Sequence, residues 1–382
     1  MDEILTEGCM KEERVLMKDG LGAAALERSA AAIERCMPGF PKAKFLGQAL
    51  DGLDALELKE RVHHVIAVLA GFLPADFPDA AQILARLPGH WDGGDPDNPL
   101  RGFAAWPLID YTAVYGLDHP DTALDLLRDL TVLFSAEFAV RPFIRLHPET
   151  AYAHMTQWCD HTDPHVRRLA SEGNRPRLPW GERLPGFIAD PSPVLALLEK
   201  LKDDPSEYVR RSVANNLNDI SKDHPELVLQ TCYRWLDDAS DERRWIVRHA
   251  TRTLVKSGHP DVFPLLGYTE NPEISVESFR LEDTRVALGD ALAFRFALTS
   301  TSKAEQKIVL DYGIHFMKAN GTQNRKVFKL KSVTLKPGEV VEITKRHPIK
   351  PITTRTYYPG EHKLEVLVNG VGIADVDFLL QT

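Results

Sequence analysis

The sequence predicts a mainly α-helical protein, a HEAT-like α-solenoid that is followed by an all-β, immunoglobulin-like sandwich. Apolar residues recur at helical spacing from the N-terminus to about Gly267, and a short motif repeats in the middle of the chain. At about Thr269 the pattern changes to an alternation of apolar and polar residues, which is typical of β-strands. We therefore expect two domains, residues 1–268 and residues 269–382.

The helical pattern is clearest in two segments. Ala49–Val62 and Ala123–Leu133 carry apolar residues at steps of three and four, so each predicts a helix with one buried face. Asp92–Asn98 is rich in glycine, aspartate and proline and predicts a loop.

The middle third contains three related segments, Asp163–Ala170, Asp204–Ala214 and, more weakly, Asp241–Ala250. Their Val-Arg positions lie 43 and 38 residues apart, a spacing expected for HEAT-like helix pairs. In each segment an Asp near the helix start can cap free N–H groups, and the Val and Ala residues are predicted to face inward. Because one pair cannot bury its apolar face alone, we expect the pairs to stack into a solenoid with a concave surface.

Period-two alternation marks the predicted strands, which are Ile274–Phe279, Leu292–Leu298, Leu310–Phe316, His362–Val368 and Gly372–Leu380. Turn signals such as Asn320-Gly321 separate them, and short strands at this spacing predict an antiparallel sandwich. The region contains no cysteine, so any immunoglobulin resemblance is one of topology without the inter-sheet disulfide.

The formal net charge of −9 argues against a generic nucleic-acid binder. The charge is uneven, however: residues 269–382 carry 16 lysines and arginines against 14 acids, whereas residues 1–268 carry 30 against 41. Because a DNA footprint needs only one basic face, the positions of the arginines matter more than the total.

Several classes of protein are not favoured. The acidic N-terminus does not resemble a secretory signal, and no apolar tract is long enough to span a bilayer. Cys9, Cys36, Cys159 and Cys232 are scattered, so we expect reduced packing residues. Since neither C-x-x-C nor H-E-x-x-H occurs, we expect no metal site and no cofactor.

The densest group of polar residues follows the first repeat. It places Arg167, Arg168, Arg175 and Arg177 beside Glu172 and Trp180 in a helix end and the loop after it. Arginines in this setting suit phosphate oxygens, and a tryptophan offers a flat face for stacking on sugar or base. The alternative, which the composition leaves open, is a salt-bridged surface loop with the tryptophan filling the next repeat.

Two further groups resemble it. Arg210–Asp219 aligns Arg211 with Arg168 and ends in asparagines and an aspartate, which are poor helix formers. Glu137–Arg145 places one carboxylate and two arginines, Arg141 and Arg145, on one strip. The alternatives are a polar helix end for the first group and an exposed salt-bridged face for the second.

Three carboxylates stand out in these groups. If the repeats stack in register, Glu137, Glu172 and Asp219 converge among the arginines. Carboxylates repel phosphate, but they suit a cationic substrate. An N-alkylated base carries a positive charge, and cleavage of its glycosidic bond builds oxocarbenium character on the sugar. Carboxylates can stabilise this charge or act as the base for the attacking water.

With these residues in view, the chain resembles the AlkC branch of the bacterial DNA-alkylation-repair glycosylases. The resemblance covers nearly the whole chain and is strongest in Arg167–Trp180, Arg210–Ile220, Trp245–Ala250, Glu137–Phe143 and Ala49–Lys59. The β-domain at the C-terminal end distinguishes this branch from the AlkD branch, which resembles the solenoid alone.

The resemblance implies a monofunctional N-glycosylase that releases 3-methyladenine and 3-methylcytosine from duplex DNA without a metal. It assigns catalysis to Glu137, Glu172 and Asp219 and places Trp180 beside the lesion. We expect DNA contacts from Arg141, Arg168, Arg175, Arg177, Arg211, Arg248 and, on a basic hairpin of the β-domain, from Lys318, Arg325 and Lys326. Lys345–Pro348 is a second candidate hairpin, and the β-domain is expected to act as a DNA clamp.

The implied partner is alkylated double-stranded DNA, and we expect no membrane association. We expect a monomeric, cytoplasmic protein of bacteria that associates with the nucleoid. The alternative is a non-catalytic HEAT-repeat scaffold that binds DNA or protein, because a repeat fold does not fix function.

Overall fold

The structure, a computed structural model, describes residues 16–352 and 355–382. Cys9 lies outside the described residues. The helices run as α1 (Ala23–Cys36), α2 (Lys42–Leu50), α3 (Leu58–Ala70), α4 (Phe77–Leu84), α5 (Trp106–Tyr115), α6 (Pro120–Leu130), α7 (Arg141–Leu146), α8 (Pro148–Trp158), α9 (Pro164–Glu172), α10 (Pro185–Ala189), α11 (Ser192–Leu201), α12 (Glu207–Ile220), α13 (Pro225–Leu236), α14 (Asp241–Ala250), α15 (Arg252–Ser257) and α16 (Val262–Leu265). Short 3₁₀ turns occur at Met17–Leu21, Leu53–Ala55, Leu87–His90 and Arg101–Ala105.

The strands follow as β1 (Ile274–Leu281), β2 (Arg285–Ala287), β3 (Ala291–Ser300), β4 (Gln306–Met317), β5 (Gln323–Leu335), β6 (Val340–Pro348), β7 (Gly360–Val368) and β8 (Val371–Gln381). The predicted order of helices and then strands is confirmed, whereas a HEAT-like solenoid stays a prediction.

The repeated motif forms the local structure that its sequence predicts. Val166, Val209 and Val247 are at most 1% exposed and face the helical core. Asp163 caps α9 by accepting a hydrogen bond from the His165 N–H at 2.7 Å. In the third copy, the cap comes from Ser240, one residue earlier than the predicted aspartate.

The first arginine after each of the first two valines has a structural role. The Arg167 guanidinium donates to the carbonyls of His161 and Thr162 at 2.9 and 2.8 Å. Arg210 donates in the same way to the carbonyls of Asp204 and Pro205 at 2.7 and 2.9 Å. Each arginine therefore fixes the loop that precedes its own helix.

One predicted helix is wrong. The pattern of Ala49–Val62 is divided in the structure, because α2 ends at Leu50 and α3 begins at Leu58. Gly52 adopts a left-handed conformation with φ of 70°, which glycine adopts readily. A right-handed α-helix cannot continue through such a residue.

The β-region is a sandwich of a three-stranded sheet, β1-β3-β6, and a five-stranded sheet, β2-β8-β7-β4-β5. Phe294 and Phe296 of β3 and Ile314 and Leu364 of the other sheet are almost fully buried in one core. Neighbouring strands are antiparallel except β2 and β8. Residues 345–348 are paired along β6, so the predicted second hairpin is wrong.

Internal contacts divide the chain after Asp219 into two compact units, one up to Asp219 and one from Ile220 to Thr382. Helices α13–α16 therefore belong to the same compact unit as the strands. The last helix ends at Leu265 and the first strand begins at Ile274.

Cys36, Cys159 and Cys232 are buried free thiols, as predicted. None of the helices within residues 16–352 and 355–382 has the length and hydropathy of a membrane span.

Candidate active site

The three predicted acids meet in the first unit, where two arginines join them in an alternating row of charges. Arg168 Nη1 lies 2.9 Å from Glu137 Oε2, and its Nη2 lies 3.6 Å from Glu172 Oε1. Arg175 Nη1 is 2.7 Å from the same Glu172 oxygen, while its Nε is 2.8 Å from Asp219 Oδ2. We call these five residues the acid cluster.

Local structure brings the acid cluster together. Glu137 lies in the turn before α7, Glu172 is the last residue of α9, and Arg175 follows it by three positions. Asp219 is in the last turn of α12. Helix ends that lie side by side thus present their side chains to one another.

Neutral donors complete the site. Ser212 on α12 donates to Glu172 Oε2 at 2.6 Å, so both Glu172 oxygens accept bonds. Ser135 donates to Glu137 Oε2 at 2.7 Å, the same oxygen that accepts from Arg168. These bonds fix the carboxylate positions before any substrate binds, which is how a catalytic site is preorganised.

Burial differs along the row. The side chains of Glu172 and Asp219 are 5% and 2% exposed, whereas the Glu137 side chain is 15% exposed. Burial lowers the pKa of Arg168 and of Arg175, but the Glu172 carboxylate and the other acids beside them raise each pKa above its ordinary value overall. The arginines therefore stay charged and counterbalance the carboxylates.

Two predicted DNA contacts do not fit their surroundings. Arg141 is fully buried and donates to the carbonyls of Glu182, Gly173 and Arg175 at 2.6, 2.9 and 2.9 Å. These carbonyls lie in the loop between α9 and α10, so the guanidinium holds that loop, and burial lowers its pKa to about 10. Arg175 is 7% exposed and holds two acids. Both guanidiniums are thus bound inside the protein, which argues against a DNA contact from Arg141 or Arg175.

The arginines that the repeat aligns also differ. Arg168 is largely covered and lies over the Tyr208 ring at 4.8 Å. Arg211 keeps a side chain that is 60% exposed and pairs with Glu207 at 2.5 Å. Arg177 is partly buried. Of these three, Arg211 is the one most open to a phosphate.

Trp180 is 56% exposed in the loop that Arg141 holds. Its φ of 65° is unfavourable for a non-glycine residue, and Lys59 Nζ donates to its carbonyl at 2.7 Å. A cavity of about 140 Å³ lies beside it and is also lined by Lys59, Trp106, Asp110 and Phe138. An exposed aromatic face held in a strained conformation is consistent with a binding role.

Asp110 is a titratable group that the sequence analysis missed. Trp106 Nε1 donates to its Oδ2 at 2.8 Å. Burial raises the pKa of Asp110 to about 7, against the opposing effects of the Trp106 bond and of Lys59. It is the only charged residue of α5, and a lone acid in an apolar helix was the signal that could have revealed it.

The predicted residues of the second unit lie on its surface. Arg248 is exposed on α14. Lys318 and Lys326 are exposed on the β4–β5 hairpin, which is confirmed, and line a cavity of about 510 Å³. Arg325 lies 2.6 Å from Glu365 in an ion pair.

Among the described residues, one group could hold a metal ion. Glu226, His259 and Asp261 each place a ligand atom within 4.8 Å of the others, but both acids are exposed. The expected absence of a metal stays a prediction.

Two parts of the chain match known sequence families. Residues 131–254 match the sequence family described as DNA alkylation repair enzyme, and this range contains the whole acid cluster. Residues 275–382 match the family described as the C-terminal Ig-like domain of YhaZ. The chain is 40% identical to the YhaZ protein of Bacillus subtilis (strain 168) over 342 residues, which is 89% of this chain and 92% of YhaZ.

A solved structure extends the likeness to the full fold. The alkylpurine DNA glycosylase AlkC of Pseudomonas fluorescens, bound to DNA containing an abasic site analog, superposes with a TM-score of 0.88 at 36% identity. The match covers 96% of this chain and 100% of that one. The chain belongs to the AlkC-type family of DNA-alkylation-repair glycosylases.

Proposed function

We propose that the protein is a DNA glycosylase that hydrolyses the N-glycosidic bond of cationic alkylated bases in duplex DNA and leaves an abasic site. The observation that carries the proposal is the acid cluster, in which arginine and serine donors hold three carboxylates in fixed positions. Family membership supports the same activity. We propose 3-methyladenine and 3-methylcytosine as the bases released.

The chemistry fits carboxylates. A cationic base needs no protonation to leave, so the enzyme must stabilise the positive charge that moves to the deoxyribose. Ionised carboxylates supply that stabilisation, and one of them can accept a proton from the attacking water. None of these steps requires a metal, and we propose a monofunctional, metal-independent hydrolase.

The hydrogen bonds suggest different roles for the acids. Glu172 uses both oxygens within the cluster, so we assign it electrostatic stabilisation. Glu137 is the most exposed of the three, and both of its bonds fall on Oε2. We therefore assign water activation to Glu137, and charge stabilisation to Asp219.

We keep residues 1–268 as the proposed glycosylase domain and residues 269–382 as the proposed DNA clamp. Trp180 is the proposed lesion contact. Arg168, Arg177, Arg211, Arg248, Lys318, Arg325 and Lys326 remain proposed DNA ligands. A DNA substrate would place the protein in the cytoplasm with the nucleoid, and we propose that it acts as a monomer.

The test is base release from methylated duplex DNA by the purified protein, measured by chromatography with and without a chelator. We expect release that the chelator leaves unchanged, and a loss of about 10²-fold in Glu137→Gln, Glu172→Gln or Asp219→Asn. Glu149→Gln, which changes an exposed acid on α8, is the matched control and should keep the full rate.

Two outcomes would contradict the proposal in different ways. Wild-type rates in all three variants would mean that the acids are not the catalytic groups. No release from any methylated DNA, with DNA binding intact, would favour the non-catalytic scaffold.

A further inference from the structure

A second cavity lies entirely within residues 248–332, apart from the acid cluster. It has a volume of about 200 Å³ and is bounded by α14, α15 and the segment after α16 on one side and by β4 and β5 on the other. We call it the Asp311 cavity. An engineered apolar cavity of roughly 150 Å³ holds benzene, so this space can take one six-membered ring.

The walls of the Asp311 cavity are held rigidly. Gly258 ends α15 with φ of 77°, and a Cβ built on it would lie 2.7 Å from the Gly370 carbonyl oxygen in the β7–β8 turn. A Cβ on Gly370 would lie 2.2 Å from the Gly258 Cα. This close backbone packing positions α15, which forms part of the cavity wall, against the β7–β8 turn.

The floor carries an unusual acid. Asp311 of β4 is 5% exposed, and its Oδ1 has no hydrogen-bond partner among the described residues. The strand register shifts at this point, since Leu310 pairs with Lys331 but Asp311 pairs with Lys329. The N–H of Leu330, the extra residue of this bulge, donates to the Asp311 side chain.

The bulge explains one bond of Asp311 but not its other oxygen. A buried acceptor without a partner costs about 1–3 kcal/mol, so native proteins rarely keep one unless a ligand or water supplies the missing donor. Asp311 lines the cavity although its Oδ1 is covered, so a molecule inside the cavity supplies the donor once the carboxylate turns toward it.

Cations surround the opening. Arg248, Lys256 and Lys329 are exposed and line the cavity with Arg252, whose Nη1 donates to the His249 carbonyl at 2.6 Å. These side chains suit an anionic group such as phosphate. The rest of the lining is mainly apolar and less exposed than these cations, and it includes Val255, Val309 and Val327 and the Tyr268 ring.

A fitting ligand therefore has an anionic end, a flat apolar middle and an N–H donor at the far edge. A nucleotide has all three, and carboxylates in proteins accept hydrogen bonds from the N4 amino group of cytosine. We infer that the Asp311 cavity binds one cytosine nucleotide, with the base amino group on Asp311 and the phosphate on the surrounding cations.

The site requires no glycosylase chemistry, so it is independent of the function proposed above. The nucleotide can be free or part of an unpaired DNA strand, because both present the same groups. Thymine is the discriminating comparison, since it presents the O4 acceptor where cytosine presents N4, and an acceptor facing a carboxylate is repelled.

Calorimetric titration of the full chain at pH 7.5 with dCMP, dTMP and inorganic phosphate tests the inference. We expect dCMP to bind about tenfold more tightly than dTMP, as the gain of one charge-assisted hydrogen bond implies, and phosphate to bind most weakly. Short oligonucleotides of dC and dT distinguish the two sources: a strand site binds the dC oligonucleotide more tightly than dCMP, and a free-nucleotide site does not.

Variants separate the two halves of the cavity. Asp311→Leu should remove the preference for dCMP while phosphate binding stays within twofold of wild type. Lys256→Ala should weaken all three ligands. Asp375→Asn, which changes an exposed acid on β8, is the matched control and should bind all three as wild type does.

Folding of each variant is checked by circular dichroism. If Asp311→Leu does not fold, Asp311→Asn replaces it, and the loss of the negative charge should reduce the dCMP preference. Equal binding of dCMP, dTMP and phosphate by the wild type would overturn the inference. So would a dCMP preference that survives in the Asp311 variants.

Discussion

Arg175 is the residue on which the buried part of the acid cluster depends, because it joins Glu172 to Asp219. Removing one partner of a buried ion pair leaves charges that neither water nor protein compensates, at a cost of about 3–5 kcal/mol. We expect Arg175→Ala to lower the free energy of unfolding by that amount in urea denaturation. Arg211→Ala, which breaks an exposed pair, should change it by less than about 1 kcal/mol.

A second variant shows whether the cost comes from uncompensated charge. Adding Glu172→Gln and Asp219→Asn to Arg175→Ala neutralises both buried acids, so much of the lost stability should return. If Arg175→Ala alone destabilises no more than Arg211→Ala, then Arg175 is not what holds the two acids.

Asp110 makes stability depend on pH. Its folded pKa of about 7 is above the unfolded value near 3.9, so the folded state binds the proton more tightly. The resulting stabilisation is complete below about pH 4 and is lost as pH rises through 7. Asp110→Asn can still accept the Trp106 bond. Between pH 5 and pH 8.5 we expect its free energy of unfolding to rise by about 1–2 kcal/mol relative to that of the wild type. This is less than the full pKa shift implies, because Asp110 lines a cavity.

Unfolding in urea at pH 5, 7 and 8.5 measures this effect. Other titratable groups, among them Lys59, His63 and Glu182 of the same cavity, also change stability with pH. The pH profile of Asp97→Asn, which changes an exposed loop acid elsewhere, is therefore the control. Parallel profiles for wild type and Asp110→Asn would show that the Asp110 carboxyl titrates normally.

At the level of elements, most of the fold follows from periodicity. Helices α6, α9, α12 and α14 and strands β1, β3, β4, β7 and β8 occur where their patterns predict them. Strand β5 was hidden because the bulge at Leu330 interrupts its alternation and its outward positions are lysines. The Lys345–Pro348 end of β6 has the basic composition of a solvated hairpin, but it pairs with β3, a contact that local sequence does not reveal.

The candidate site was only partly predictable. The meeting of the three acids could be predicted, because the repeat spacing is readable in the sequence and indicates which helix ends lie side by side. The sequence does not distinguish Arg167, which holds a loop, from Arg168, which binds Glu137. Adjacent helical residues face different neighbours, and only the packing shows which. Burial of Arg141 and Arg175 depends on long-range packing in the same way.

The contact between α15 and the β7–β8 turn is an element-scale feature that glycine alone permits. We expect Gly258→Ala to destabilise the protein by about 2–4 kcal/mol, because it combines a left-handed backbone with a clash against the Gly370 backbone. Gly267→Ala is the control, since Gly267 has φ of 74° but open space around it, and should cost about 1–2 kcal/mol. Equal losses of unfolding free energy would mean that the two backbones do not pack this closely.

For the whole molecule, the net charge of −9 has to be reconciled with a polyanionic partner. Long-range attraction to DNA should be weak, so binding must rest on local groups of cations. Each phosphate contact contributes about 0.9 to the slope of log affinity against log salt concentration. The slope therefore counts the contacts that each basic group makes, independently of total charge.

The β4–β5 hairpin is the place to apply this count. If Lys318 and Lys326 each hold one phosphate, the double change Lys318→Ala/Lys326→Ala should weaken DNA binding and reduce the slope by about 2 in titrations from 50 to 200 mM salt. Lys303→Ala removes an exposed charge of the same unit from the β3–β4 loop, so it should leave the slope unchanged. If the double variant keeps the wild-type slope while Lys303→Ala does too, the hairpin is a solvated surface and the clamp must contact DNA through other residues.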